Sequence, residues 1–91
     1  MNYAVKSNNP KALEYFFQAL KINEKLENKN GIARDLSNLG VTYLNQLKYT
    51  KSLKFYNKAL KIYKELGDKV GVSTILVNMG TIYVYLLDYE K

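Results

Sequence analysis

Between residues 50 and 66 the apolar positions Leu53, Tyr56, Ala59, Leu60, Tyr63 and Leu66 recur at steps of three and four. Lys51, Lys54, Lys58 and Lys61 recur at the same steps on the opposite side, with Glu65 beside them. That alternation is the signature of an amphipathic helix with one face turned to a core. The same period runs through KALEYFFQALKINEKL from residue 11. Breaks fall at regular places. Asn9-Pro10 is a start signal, since asparagine caps and proline is tolerated in the first turn. ENKNG interrupts the pattern and offers Asn28 as a cap, KYT interrupts it again, and GDK supplies a glycine stop with Asp68 as the next cap. These signals predict four helices over about 10–27, 28–47, 50–66 and 69–87.

The fourth segment argues with itself when read alone. VGVSTILVNMGTIYVYLL is uncharged for 18 residues and rich in β-branched and aromatic types, so by propensity it suits strands and by length a membrane span. A shift of forty positions resolves the conflict. Residues 11–50 laid over 51–90 agree at 15 of 40 places, among them Leu36/Leu76, Asn38/Asn78, Gly40/Gly80 and Tyr43/Tyr83. Tyr3 falls forty before Tyr43 in the same phase. The earlier counterpart, NGIARDLSNLGVTYLNQL, is plainly an amphipathic helix. Copies of one unit fold alike, so residues 69–87 are expected to be helical. Asn78 near the middle of the stretch opposes a membrane span, and none is expected.

Repeats of this length stack as supersecondary units, none of which buries its apolar face alone. Leu36, Leu39-Gly40 and Tyr43, followed by Ser52, Tyr56 and Ala59, resemble the tetratricopeptide repeat. Its first helix carries large-apolar, Leu-Gly and Tyr positions and its second carries Ala, aromatic and Ala. Leu76, Met79-Gly80 and Tyr83 repeat the first set, and Ala12, Phe16 and Ala19 the second. The resemblance implies an all-α fold, a right-handed α-solenoid of antiparallel helix pairs with about two repeats in a single domain over 1–91. Gly40 and Ala59 would let backbones approach closely, while Tyr43 and Tyr56 fill the groove between them.

Two departures stand out. The family's basic unit is 34 residues long and closes its second helix with proline, where this chain has Lys64 and continues to Leu66. The lengthened form resembles the variant in kinesin light chains and many bacterial regulators. HEAT and armadillo repeats share the length range, but the Leu-Gly-x-x-Tyr spacing favours the tetratricopeptide assignment. Ser52 in place of the family's alanine is expected to loosen the packing slightly.

Composition narrows the chemistry. The chain has no cysteine and no histidine, which removes disulfides, thiolate nucleophiles, imidazole bases and the usual zinc sites. Its eight acidic residues are scattered, and no glycine-rich phosphate loop or acidic metal loop is present. No enzyme activity and no cofactor is expected. The N-terminus carries no secretory pattern, and a cytoplasmic, bacterial setting is the expectation. The net charge of +6 permits attraction to nucleic acid. The lysine stripes lack interleaved exposed aromatics and arginines, so nucleic-acid binding is disfavoured, and the lysines read as the solvated side of a helix.

In the family the first helices line the concave side and hold peptides or partner helices. Arg34, Asn38, Val41 and Asn45 fall at i, i+4, i+7 and i+11, one stripe with Ser37 beside it. Forty residues on, Thr74, Asn78, Thr81 and Tyr85 repeat it, with Val77 alongside. An amide carries both donors and an acceptor, so Asn38 and Asn78 could satisfy a peptide backbone whatever its side chains. They could equally bond to neighbouring helices and fix the stacking. Arg34 reads as a surface ion pair with Asp35. Tyr3, Tyr43, Tyr56 and Tyr83 occupy packing positions, and Tyr85 is the tyrosine expected on the open surface. The resulting expectation is a protein-binding scaffold. The alternative is a self-assembling module in which Leu76, Met79, Tyr83 and Leu87 of helix 69–87 are covered by another copy, or by more of a longer solenoid.

Overall fold

A computed structural model describes residues 10–90, with side chains as far as 87. Four α-helices follow one another: α1 Pro10–Lys25, α2 Lys29–Asn45, α3 Tyr49–Leu66 and α4 Lys69–Glu90. No strand occurs among the described residues. Asn9 and Tyr3, read above as a cap and a packing residue, lie outside them. Each helix packs on the next, α2 against α3 most extensively. The links are two or three residues long, too short for anything but antiparallel neighbours.

The three links share one geometry. Glu27, Leu47 and Gly67 all have positive φ, at 55°, 62° and 70°. The amide of the next residue in each case reaches back five, Asn28 to the Asn23 carbonyl, Lys48 to Tyr43 and Asp68 to Tyr63, at 2.9, 2.9 and 3.0 Å. This is the Schellman arrangement, which satisfies carbonyls left over at a helix end. The structural unit is therefore one helix and one turn, recurring every twenty residues, and the forty-residue sequence repeat is two such units. Asn28 and Asp68 then cap as expected, their side chains accepting from the amides of Gly31 and Gly71 at 3.1 and 3.0 Å. Lys48 stands at the same place with no side-chain cap.

Helix bounds differ from the expected ones by a few residues, for a common reason. Leu26, Glu27, Gln46 and Leu47 belong to the turns, which remove them from the ends of α1 and α2. At the position matching Leu47, residue 87, no turn forms, and α4 runs on to Glu90. The region 69–87 is one continuous helix, neither a strand pair nor interrupted at Gly80. Lys69–Leu87 is long and apolar enough to cross a membrane by length and composition alone. Here it is the fourth member of the helix array, with Ile75 and Ile82 buried in the core beside Leu36, Tyr56 and Ala59.

Packing follows the repeat closely. A β-carbon on Gly31 would meet the Asn23 side chain at 2.7 Å, and one on Gly71 would meet the Tyr63 ring at 2.5 Å. Residues 23 and 63 are repeat equivalents, so the same contact is polar in one copy and aromatic in the other. Its neighbours change in step: Asn23 donates to the buried carboxylate of Asp35 at 2.6 Å, whereas Tyr63 is matched with Ile75 in the second copy. Asp35 is thus a core residue bonded to α1, and the surface ion pair with Arg34 does not form. Ser52 also departs from expectation. It is buried and its hydroxyl donates to the Gly40 carbonyl at 2.7 Å, which ties α3 to α2 where loosening was expected. Tyr43 and Tyr56 are buried, but Tyr83 is 52 % exposed because none of the described helices lies on that side of α4.

Candidate partner-binding surface

All nine stripe residues reach solvent. On α2, Arg34, Val41 and Asn45 are exposed while Ser37 and Asn38 are half-buried; on α4, Thr74, Thr81 and Tyr85 are exposed and Asn78 is half-buried. Val77 beside them is exposed. The residues that flank the α2 stripe, including Asp35, Leu36, Leu39 and Thr42, are buried, so the stripe is what α2 leaves open after packing between α1 and α3.

The two asparagines have different surroundings. Asn78 approaches the Tyr56 hydroxyl, which is fully buried, without completing a hydrogen bond of good geometry. Burial pushes the Tyr56 phenol up to about 12, and the nearby Asn78 amide opposes that rise. The residue forty before Tyr56 is Phe16, so Asn38 has no equivalent hydroxyl to face. The hydroxyl of Thr81 donates to the Val77 carbonyl at 3.1 Å, leaving chiefly its acceptor capacity for a partner. Arg34 lies close enough to Tyr63 to act on its hydroxyl, which burial and Asp68 push up and Arg34 pulls down.

Tyr85 is on the surface, but it is not alone there. Its ring lies 6.1 Å from that of Tyr49 at the start of α3, tilted by 39°. The half-buried Tyr49, packed on the core, and the exposed Tyr85 together make an amphipathic platform of the kind favoured in protein interfaces. Tyr49 matches Tyr89 in the repeat, and that match alone does not place it beside Tyr85.

The opposite side of the array holds features that periodicity did not announce. Phe55 stacks on Tyr43 with ring centres 5.5 Å apart and 11° between planes, and Phe17 meets Phe55 edge-on at 5.9 Å. Lys51 lies over Tyr43, and Lys54 and Lys58 over Phe55, at 5.4 to 5.8 Å. These lysines are exposed, yet their ammonium groups sit on aromatic rings, a modestly favourable arrangement. Behind them a groove of about 580 Å³ runs between α1, α2 and α3, floored by Leu20, Ile32, Leu36 and Ile62 and edged by Lys29 and Glu65, which pair at 3.8 Å. That ion pair is solvent-exposed and contributes little. Among the described residues no group of three or more side chains suited to metal ligation gathers.

A family model described as tetratricopeptide repeat matches residues 1–65 and, in a second overlapping match, 35–91. No curated protein and no solved structure matches the chain. Matched over its whole length and stacked as antiparallel helices with a tyrosine seated on the glycine of its Leu-Gly pair, the chain belongs to the tetratricopeptide repeat family, whose members are in general modules for protein–protein interaction.

Proposed function

We propose that the chain holds a peptide or a partner helix along the stripe of Arg34, Ser37, Asn38, Val41 and Asn45, continued by Thr74, Asn78, Thr81 and Tyr85. The observation that carries this reading is the recurrence of one mixed surface on α2 and α4 at positions that packing leaves open. It offers three side-chain amides for a ligand backbone, an apolar Val41, a guanidinium and the Tyr49–Tyr85 platform as an anchor for an apolar side chain. A random peptide library displayed on phage tests it. Selected peptides should bind the Asn38→Ala variant at least tenfold more weakly, with its thermal midpoint unchanged. Unaltered affinity in Asn38→Ala and Tyr85→Ala together would remove the stripe from consideration.

A second reading, self-association through α4, has its own support. Leu76, Tyr83 and Leu87 are each more than half exposed along one apolar helix, a larger patch than single scattered residues.

A further inference from the structure

The most extensive helix contact in the molecule is a template for one that α4 leaves unmade. On α2, Gly40 forms a notch filled by the Tyr56 ring, and Tyr43 next to it carries the stacked ring of Phe55. The same residue types recur on α4 at Gly80 and Tyr83. Nothing lies within 4 Å of a β-carbon built on Gly80, and Tyr83 is half exposed. Among the described residues the notch is present without its plug.

The plug also recurs. Ala12, Tyr15, Phe16 and Ala19 stand forty residues before Ser52, Phe55, Tyr56 and Ala59, and α1 buries none of its residues fully. Tyr15, in the place of the stacking Phe55, is 62 % exposed. We propose that the open face of α4 receives α1 of a second copy, head to tail, in the register in which α3 covers α2. This deepens the self-association reading and rests on it. Phe16 enters the Gly80 notch, Tyr15 stacks on Tyr83, and the small Ala12 and Ala19 let the two backbones close.

The partner is specified by shape as well as by apolarity. Two α4 helices facing each other would set Tyr83 against its own kind and leave both glycine notches empty, a poorly packed contact. Helix α1 has a small–aromatic–small series at the spacing the notch needs. Such an interface joins unlike surfaces, so each added copy exposes a fresh α4, and the arrangement extends as an open superhelix unless rotation closes it. Ala12 lacks the hydroxyl with which Ser52 binds the Gly40 carbonyl. The contact between chains therefore has one hydrogen bond fewer than its template within the chain, and assembly depends on concentration.

Sedimentation of the 91-residue chain from micromolar to millimolar concentration, with variants blocked at either end, tests the register. Tyr83→Lys blocks α4 and Tyr15→Lys blocks α1, both at exposed positions, and circular dichroism verifies that each folds; Leu76→Lys and Tyr15→Glu serve if either does not. The wild type should grow in mass with concentration and each variant should stay monomeric. An equimolar mixture of the two should give a species of twice the chain mass and nothing larger. If Tyr15→Lys alone still dimerises while Tyr83→Lys does not, α4 meets a surface other than α1, and the proposed register is overturned while self-association stands. A wild type that stays monomeric throughout removes both.

Discussion

A β-carbon on Gly40 would lie 2.7 Å from the ring of Tyr56, whereas one on Gly80, its equivalent forty residues later, would touch nothing. The glycine of the Leu-Gly pair is thus a packing requirement in one copy and an unused one in the other. Gly40→Ala forces the buried ring to move and should destabilise the chain by about 1–3 kcal/mol. Gly80→Ala should leave monomer stability unchanged or raise it by up to about 1 kcal/mol through helix propensity. Urea unfolding of dilute samples measures both. Equal effects would mean that Gly80 is already covered.

The pair of half-buried Asn23 with buried Asp35 and its counterpart Tyr63–Ile75 solve one packing problem in two chemistries. Asn23→Ala removes the side-chain donor that the buried carboxylate uses and should cost about 1–3 kcal/mol. The double change Asn23→Tyr with Asp35→Ile imports the second copy's solution and should be less harmful than the sum of its parts, with a coupling of about 0.5–3 kcal/mol. A thermodynamic cycle by thermal unfolding reads the coupling directly, and strict additivity would contradict the proposed equivalence.

Alkaline pH should weaken the fold through Tyr56. The folded phenol holds its proton to about 12, while the unfolded chain releases it near the ordinary tyrosine value of 10.0. Between those values the folded state binds more protons, so the stabilisation is complete below the lower value and is lost as pH rises through the higher one. Burial of Tyr63 adds a contribution of the same sign. Lysines titrate in this window too, so the measurement is a difference. Tyr56→Phe should lose less stability than wild type from about pH 9.5 to about pH 11.5, and parallel losses would exclude Tyr56 as the cause.

Among the described residues, Lys48 alone of the three inter-helix N-caps makes no side-chain capping bond, while Asn28 and Asp68 both cap. Lys48→Asp should let a carboxylate reach the free amides of the first turn of α3 and stabilise the chain by about 0.5–2 kcal/mol. The rise in the urea midpoint should appear without a change in slope. An unchanged midpoint would indicate that the turn holds residue 48 out of reach.

Much of this architecture could be read from the chain before its coordinates. Asn28, Gly67 and Asp68 carry local chemistry, capping and a left-handed turn, that acts within a few residues and so is legible in order of sequence. The forty-residue register is equally plain: it opposes reading 69–87 as strands, and together with Asn78 near the middle it opposes a membrane span. What the periodicity missed were relationships across helices. Ser52 reads as a weakened alanine because its acceptor, the Gly40 carbonyl, is backbone and leaves no trace in side-chain patterns. A charge at position 35 implies water and so a surface residue; its donor, Asn23, lies twelve residues back on another helix.

The surface stripe was partly legible for a similar reason. Helical phase alone places Arg34, Asn38, Val41 and Asn45 together, and the repeat carries that grouping to Thr74, Asn78, Thr81 and Tyr85. It could not show that Asn78 approaches the Tyr56 hydroxyl, that Arg34 acts on Tyr63, or that Tyr85 lies beside Tyr49. Nor could it show lysines resting on Tyr43 and Phe55.

By itself the sequence determined the helices, their turns, their order and the residue types on each face, because these follow from hydrogen bonds and periodicities local to the backbone. Only the tertiary structure decided which faces are satisfied. Leu36 and Leu76, or Gly40 and Gly80, are the same letters in the same phase, yet α3 covers the first of each pair, whereas Leu76 is half exposed and no described residue reaches a β-carbon on Gly80. Burial is a property of neighbours in space, so identical residues become core in one copy and open surface in the other.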